Sequence, residues 1–276
     1  MRSSKSTVSM KDVAALAGVS VGTVSNVLNS PALVSEATRS RVEDAIAKLG
    51  WVRNESARQL RAGRSRSIGM VVMDVANPFF TDIVRGVEDY VHGMGYTLQL
   101  GNSAQQTERE AAHLQLFEQH RVRGVLYAPI KQAGQQVIEL RRQGIPVVIV
   151  DRASENAPYC SVTVDDVEGG RLAVDHLVAQ GHRHIAFVGG PMIIQQVRDR
   201  HFGAQIALSQ LGDSGQLTTI STERLDTGSG TAAASQLVAL PSGERPSAVF
   251  AANDLLAIGL LQGFVTHGLQ VPDQIS

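Results

Sequence analysis

One cysteine stands in 276 residues, at Cys160, and that scarcity excludes an internal disulfide or a zinc site built on thiolates. It fits a reducing compartment. No apolar run approaches the roughly 18–20 residues needed to cross a bilayer. The opening MRSSKSTVSMKDV is polar and lacks the apolar centre of a secretion signal. The chain is therefore expected in the cytoplasm, with no membrane partner. Catalytic signatures are missing as well: GxxxxGK[ST], HExxH, GxSxG and GxGxxG do not occur. The run His182–His184, with His176 nearby, has no acidic residue at ligand spacing, so no metal site is assigned. The carboxylates of Asp165 and Asp166 adjoin a helix start and suit its dipole. Gly228–Gly230 opens another helix, as a cap. Nothing pairs a nucleophile with a base, so the chain is read as not an enzyme and as needing no cofactor.

What is present is a segregation of charge. The net charge is −1, yet residues 1–66 hold 11 Lys/Arg against 5 Asp/Glu, which is +6. Residues 67–276 hold 14 against 21, which is −7. A basic head on an acidic body points to a head that meets a polyanion.

Within the head, Val13, Ala14 and Ala17 form one helical stripe and Val24, Val27 and Leu28 a second, with GVS between them. Gly18 suits the left-handed residue after a helix end, and Ser20 is a good N-cap for the second helix. Two short helices joined so tightly cross steeply, as in a helix-turn-helix. A third helix is expected over SEATRSRVEDAIAKLG, with Ser35 as cap, Val42, Ile46 and Leu49 as its stripe, and Gly50 as stop.

The second helix would enter the major groove, where its early exposed positions meet base edges. These are Val21, Gly22, Thr23, Ser25 and Asn26. Asparagine pairs bidentately with adenine, threonine meets a thymine methyl, and valine offers apolar contact. Lys11, Ser20, Ser35, Thr38 and Arg39 are expected on phosphates. Asn29 at the end of that helix and Asn54 and Arg58 beyond the third are counted with the DNA-contacting set. The nearly uncharged KDVAALAGVSVGTVSNVLN thus reads bases, while flanking basic residues supply affinity.

Residues 52–67 read as a linker with arginines around one isolated leucine, Leu60. Leu60, flanked by Arg58 and Arg61, either packs on the body or serves as an apolar wedge in a minor-groove base step.

From Ile68 the pattern alternates. Apolar runs IGMVVM, YTLQL, GVLYA, PVVIV, HIAFVG, TTIS and SAVFAA are separated by amphipathic segments. This predicts parallel sheets covered on both faces, in two α/β lobes with a cleft between them. The fold class is therefore α plus α/β: a three-helix head over 1–51, a linker, and a body over 68–276. The first lobe covers about 68–161 and the second about 162–276. Ligands of such sheets sit beyond the carboxyl ends of the strands. The residues placed there are Asp74, Asn77, Pro78, Phe79, Asn102, Ser103, Asp151, Arg152, Gly189 to Met192, Asn253 and Asp254. Amides, carboxylates and one aromatic ring suit a sugar or polyol.

The run MKDVAALAGVSVGTVSNVLN, then VSEATRSRVEDAIAKLGWVRNESARQLR, IGMVVMDVANPFF, DHLVAQGHRHIAFVGGP and PSAVFAANDLLAIGLL resembles the LacI/GalR family of bacterial transcription regulators. The resemblance covers almost the whole chain. It implies a homodimer on a pseudo-palindromic operator, a hinge helix whose leucine, at Leu60, enters the minor groove, and a periplasmic-binding-protein-like body. It also implies a sugar or nucleoside effector, met by Phe79, Asp151, Arg152, Arg200 and Asn253, with Gln196 and Leu225 as further candidates. Ile193 and Ile194 stand where some members place polar ligand contacts. Members of the family continue past VPDQIS, so the chain is read as C-terminally truncated. The function expected is an effector-responsive repressor. The alternative is a small-molecule-binding protein or sugar-modifying enzyme whose head is an interaction module.

Overall fold

In a computed structural model, residues 8–52, 65–132, 134–153 and 159–276 are described. Contacts divide the chain into two units, Met1–Gly63 and Arg64–Ser276. Ten α-helices and eight strands occur among the described residues.

The head is built from three helices: α1 Met10–Ala17, α2 Val21–Asn29 and α3 Glu36–Leu49, with a 3-10 turn at Pro31–Leu33. Asp12 Oδ2 accepts from both the amide and the hydroxyl of Ser9, which fixes the start of α1. These bonds hold its carboxyl below the usual range. Gly18 takes φ 65° and Gly50 takes φ 59°, the left-handed turns that end α1 and α3. Ser20 Oγ accepts from the Thr23 amide at 3.0 Å, so one of the orphan donors at the start of α2 is occupied. Ser35 differs from expectation. It has extended N-cap backbone, but its hydroxyl donates to Thr38 Oγ1 at 3.0 Å instead of accepting from the helix. The core is small: Val13, Ala14, Ala17, Val24, Val27, Val42 and Ala45. Ile46 and Leu49 only flank it, because Ala45 takes the central place beside Val42.

The body carries two parallel sheets. Strands β1 Ser67–Val72, β2 Thr97–Asn102, β3 Val125–Tyr127, β4 Val147–Val150 and β5 Cys160–Val162 are ordered β2-β1-β3-β4-β5. Strands β6 His184–Gly189, β7 Gln216–Ser221 and β8 Ala248–Ala251 are ordered β7-β6-β8. The strands with neighbours on both sides are β1, β3, β4 and β6, and of these β1 and β6 are the most continuously apolar and buried, as a sheet covered on both faces requires. YTLQL and TTIS prove to be edge strands and are half-exposed. Strand β5, which follows no apolar run of the sequence, pairs with β4 and forms the outer edge of that sheet.

The helices of the body are α4 Pro78–Gly93, α5 Thr107–Gln119, α6 Gln135–Arg142, α7 Asp166–Ala179, α8 Gln195–Ser209, α9 Thr227–Ala239 and α10 Asp254–Thr266. Two close-packed pairs support the second sheet. A Cβ on Gly203 of α8 would lie 1.9 Å from the Val167 carbonyl oxygen of α7, and one on Gly259 of α10 would lie 2.1 Å from that of Thr227. Only glycine permits those approaches. One apolar cluster is shared by the two sheets, joining Met70, Val72, Met73, Phe80, Ala128 and Ile130 to Phe187, Ile194, Val197, Ala252 and Leu256.

Candidate nucleic-acid and effector sites

On the head, α2 turns Val24 and Val27 inward and leaves the remaining early positions accessible. Val21 is 41% exposed, Gly22 and Asn26 are exposed, and Thr23 and Ser25 are half-buried. This face is short, capped and uncharged, and its amide, hydroxyl and methyl groups are of kinds that can meet base edges. Asn29 folds back on its own helix, its amide nitrogen donating to the Ser25 carbonyl at 2.9 Å. Lys11 is exposed, whereas Arg39 is engaged with Glu36 at 2.6 Å and Glu43 at 3.7 Å. Both pairs are solvent-facing, where such pairs contribute little and exchange readily for a phosphate. Asn54, Arg58 and Leu60 lie outside the described residues.

In the body, the loops after β1, β2 and β4 face the second lobe. Asp151 follows β4 in left-handed backbone, φ 59°, with 6% of its surface exposed. Gln196, in the first turn of α8 and 4% exposed, donates its amide nitrogen to Asp151 Oδ2 at 2.9 Å and also to the Asp151 carbonyl oxygen. Burial pushes the Asp151 carboxyl up to about 6, against the pull of the Gln196 bond, with Asp166 adding repulsion and Arg200 attraction. Beside it, burial and the neighbouring Arg198 lower the Arg152 guanidinium.

Arg200 ties three elements of the second lobe. Its Nε meets Asp166 Oδ1 at 2.8 Å and its Nη1 meets the Ala252 carbonyl at 2.6 Å. Asp166 is therefore a buried ion-pair partner and not only a helix-start charge. The cap of α7 is Asp165, accepting from Glu168 at 2.9 Å. Burial still outweighs Arg200 and raises the Asp166 carboxyl. Similarly, α9 is capped by Asp226, which accepts from the Ser229 amide at 2.8 Å, so Gly228–Gly230 lies inside the first turn and does not form the cap.

At the rim, Asp74 Oδ2 accepts from Gln105 Nε2 at 3.3 Å and lies 4.0 Å from Arg224 Nη2. Leu225 takes part through its backbone: its amide donates to Gln105 Oε1 at 3.2 Å and its carbonyl accepts from Asn253 Nδ2 at 3.2 Å. Phe79 is 41% exposed and stands edge-on to Phe80, 5.1 Å between centroids.

Three expected residues have structural bonds instead. Asn77 caps α4 by accepting from the Phe79 amide at 3.1 Å. Asn102 Oδ1 organises its turn by accepting from Val75 and Ala104. Ser103 donates to the carbonyls of Val72 and Met73. Asp254 is exposed and lines a groove of about 450 Å³ beside β8, together with Asn253, Ala173, His176 and Phe264; none of Asp74, Asp151, Gln196 or Arg200 lines it. Ile194 is buried in the shared apolar cluster while Ile193 is exposed. His182 and His184 bond to Ser247 and Thr218 hydroxyls.

Sequence reasoning missed Gln105, Arg224 and Glu110. Glu110 is buried in the first turn of α5, where glutamate is ordinarily solvated, and its Oε2 accepts from the Ile130 amide at 2.9 Å. It thereby positions the loop after β3. Burial raises its carboxyl, with the Tyr127 hydroxyl bond opposing.

Two family models match the chain. Residues 9–54 match bacterial regulatory proteins of the lacI family, and residues 65–276 match periplasmic binding proteins and the sugar-binding domain of the LacI family. The HTH-type transcriptional repressor PurR of Aliivibrio fischeri (strain MJ11) is 32% identical over 269 residues, covering 97% of this chain and 80% of that protein. The lac repressor dimer bound to operator and the anti-inducer ONPF superposes with a TM-score of 0.81 at 28% identity, over 98% of this chain and 81% of that one. The Cra transcriptional dual regulator of Pseudomonas putida in complex with fructose 1-phosphate gives 0.70 at 25%, over 76% and 77%. Matched in its head and its body alike, the chain belongs to the LacI family of bacterial regulatory proteins.

Proposed function

We propose that this chain is a transcriptional repressor whose head binds an operator duplex and whose body senses a small metabolite between its lobes. The relatives are repressors, and operator and effector complexes are known among them. The observation that carries the reading is the pairing of an accessible, capped, uncharged helix face on a basic head with a cleft holding buried, incompletely bonded polar groups. Val21, Gly22, Thr23, Ser25 and Asn26 read bases, Lys11, Ser20, Ser35, Thr38 and Arg39 meet phosphates, and Asn29 steadies the end of the helix. Asn54, Arg58 and Leu60 extend the contact to the minor groove. Phe79, Asp151, Arg152, Gln196 and Arg200 hold the effector, Asp74, Leu225 and Asn253 shape its rim, and Asn77 and Asn102 hold the loops around it.

The functional unit is a homodimer on a pseudo-palindromic operator, acting in the cytoplasm without catalysis. The effector is a sugar or nucleoside. A ligand that prefers one arrangement of the lobes shifts operator affinity by as much as that preference. Enrichment of bound sequences from a random duplex pool tests this. The expected product is a palindrome, bound with a plot of log affinity against log salt steeper than about −3. A flat salt dependence, or no enriched sequence, sinks the reading.

A further inference from the structure

Helix α2 carries no charged residue, so the arginine and lysine side chains that most often read guanine are absent from it. Two of its five outward positions are also occupied. The Thr23 hydroxyl shares a hydrogen bond with Ser20 Oγ at 2.9 Å inside the N-cap, and the Ser25 hydroxyl accepts from Asn29 Nδ2 at 3.2 Å. What remains on the exposed face is the Val21 isopropyl group, the bare backbone of Gly22 and the Asn26 amide. Among the described residues nothing bonds to the Asn26 side chain. Gly22 stands out, because glycine weakens a helix. A Cβ there would meet only Ser20 Oγ, at 3.6 Å, an ordinary contact. The fold therefore does not require glycine at this position, whereas left-handed backbone requires it at Gly18 and a neighbouring helix requires it at Gly203. Gly22 and Asn26 lie one turn apart on one face. Helical side chains lean toward the N-terminus, so the Asn26 amide extends toward the bare position.

Each free group selects a base. A primary amide offers a donor and an acceptor side by side. Adenine alone matches both on its major-groove edge, with an N7 acceptor beside an N6 donor. Guanine shows two acceptors, cytosine a donor, and thymine an acceptor beside a methyl. An isopropyl group gains only from that methyl. Resting on the reading of the head as the operator-binding unit, we infer that α2 reads A·T pairs in each half-site. Asn26 pairs with N6 and N7 of an adenine, and Val21 packs on a thymine methyl. Gly22 supplies the clearance that lets the helix lie close enough for both. Glycine at position 22 thus weakens the free head and sharpens discrimination once the helix is in the groove.

The test takes the duplex that the full chain enriches from a random pool and alters single groups of its bases, with binding read by fluorescence anisotropy. Each adenine of a half-site is changed in turn to 7-deazaadenine, which lacks the N7 acceptor. Each thymine is changed to deoxyuridine, which lacks only the methyl. One 7-deazaadenine position should weaken wild type by about tenfold and leave Asn26→Ala unaffected. One deoxyuridine position should weaken wild type by about threefold and leave Val21→Ala unaffected. The head of Gly22→Ala should melt no lower than that of wild type and keep its affinity for random duplex, yet bind operator about tenfold less tightly. If wild type and variant lose alike at every altered base, or if Asn26→Ala ceases to distinguish a guanine, the A·T assignment is overturned while operator binding stands. The clearance is overturned if Gly22→Ala melts lower, because glycine then serves the fold, or if it binds operator as wild type does. If no duplex is enriched at all, the reading of the head as an operator-binding unit falls and the assignment falls with it.

Discussion

Gln105 reaches across the cleft to Leu225, its Oε1 accepting from the Leu225 amide at 3.2 Å while its own backbone is left-handed at φ 60°. Ala104 beside it is left-handed too, at 48°, and its carbonyl accepts from Arg224 Nη1 at 3.4 Å. Asp151, which makes a further contact between lobes, stands at 59°. Among the described residues only four non-glycine positions have positive φ, the fourth being Arg121. The loops that meet are thus the strained ones, a placement usual for elements that move with ligand.

Gln105→Asn separates contact from strain, since asparagine accepts the left-handed conformation but is one methylene too short to reach Leu225. The melting stability of the body should change by no more than about 1 kcal/mol. Effector-dependent release of operator should weaken several-fold, measured by titrating effector into the protein–duplex complex. An unchanged release curve removes Gln105 from lobe closure.

Asp151→Asn should stabilise the body at neutral pH. The folded carboxyl titrates at about 6, above its ordinary 3.8. The folded state therefore binds more protons than the unfolded state between those values. Its contribution to stability is complete below about 3.8 and is lost as pH rises through about 6. The penalty at pH 7 is up to about 3 kcal/mol. Denaturant melts of wild type and variant should diverge as pH rises from about 5 to 7.5 and converge below it; parallel curves refute the assignment.

Ser20→Ala removes the cap of α2, leaving the Thr23 amide without its acceptor. The head should lose about 1 kcal/mol. Operator affinity should fall more than affinity for random duplex, because the frayed turn carries Val21, Gly22 and Thr23. Equal losses on both duplexes, measured by fluorescence anisotropy, contradict a base-reading role for that turn.

Gly203→Ala forces α7 and α8 apart, since the new methyl would sit against the Val167 carbonyl. The body should lose about 3 kcal/mol. Because Asp166 and Arg200 sit on those same helices, effector response should decline with it, whereas operator binding by the head should persist at temperatures where the variant stays folded.

The head was largely legible. Apolar spacing and two glycines located its helices, because every element there is local and capped by its own sequence. Ser35 was placed correctly as an N-cap position, yet its hydroxyl prefers Thr38, a choice between two nearby acceptors that no pattern announces. In the body the central strands announced themselves by burial, but β5 did not. It is three residues long with exposed Cys160 and Val162, and only pairing with β4 makes it a strand. In the cleft, Asp151, Arg152, Gln196 and Arg200 stood out by position or resemblance. Gln105 and Glu110 did not, since a glutamine in a loop and a glutamate in a helical first turn are ordinarily solvated. What sets them apart is burial or contact with residues far off in the chain, and periodicity carries no trace of either.

Among the described residues of the head none larger than valine is fully enclosed, and Val13, Val24 and Val42 sit among alanines. A nucleus so lean releases little hydrophobic free energy, and a segment of that length keeps much of its surface wet. Heating should therefore melt the protein in two calorimetric steps, the head first and the phenylalanine-bearing body later. Saturating operator should move the first step upward by mass action and so narrow the gap between them.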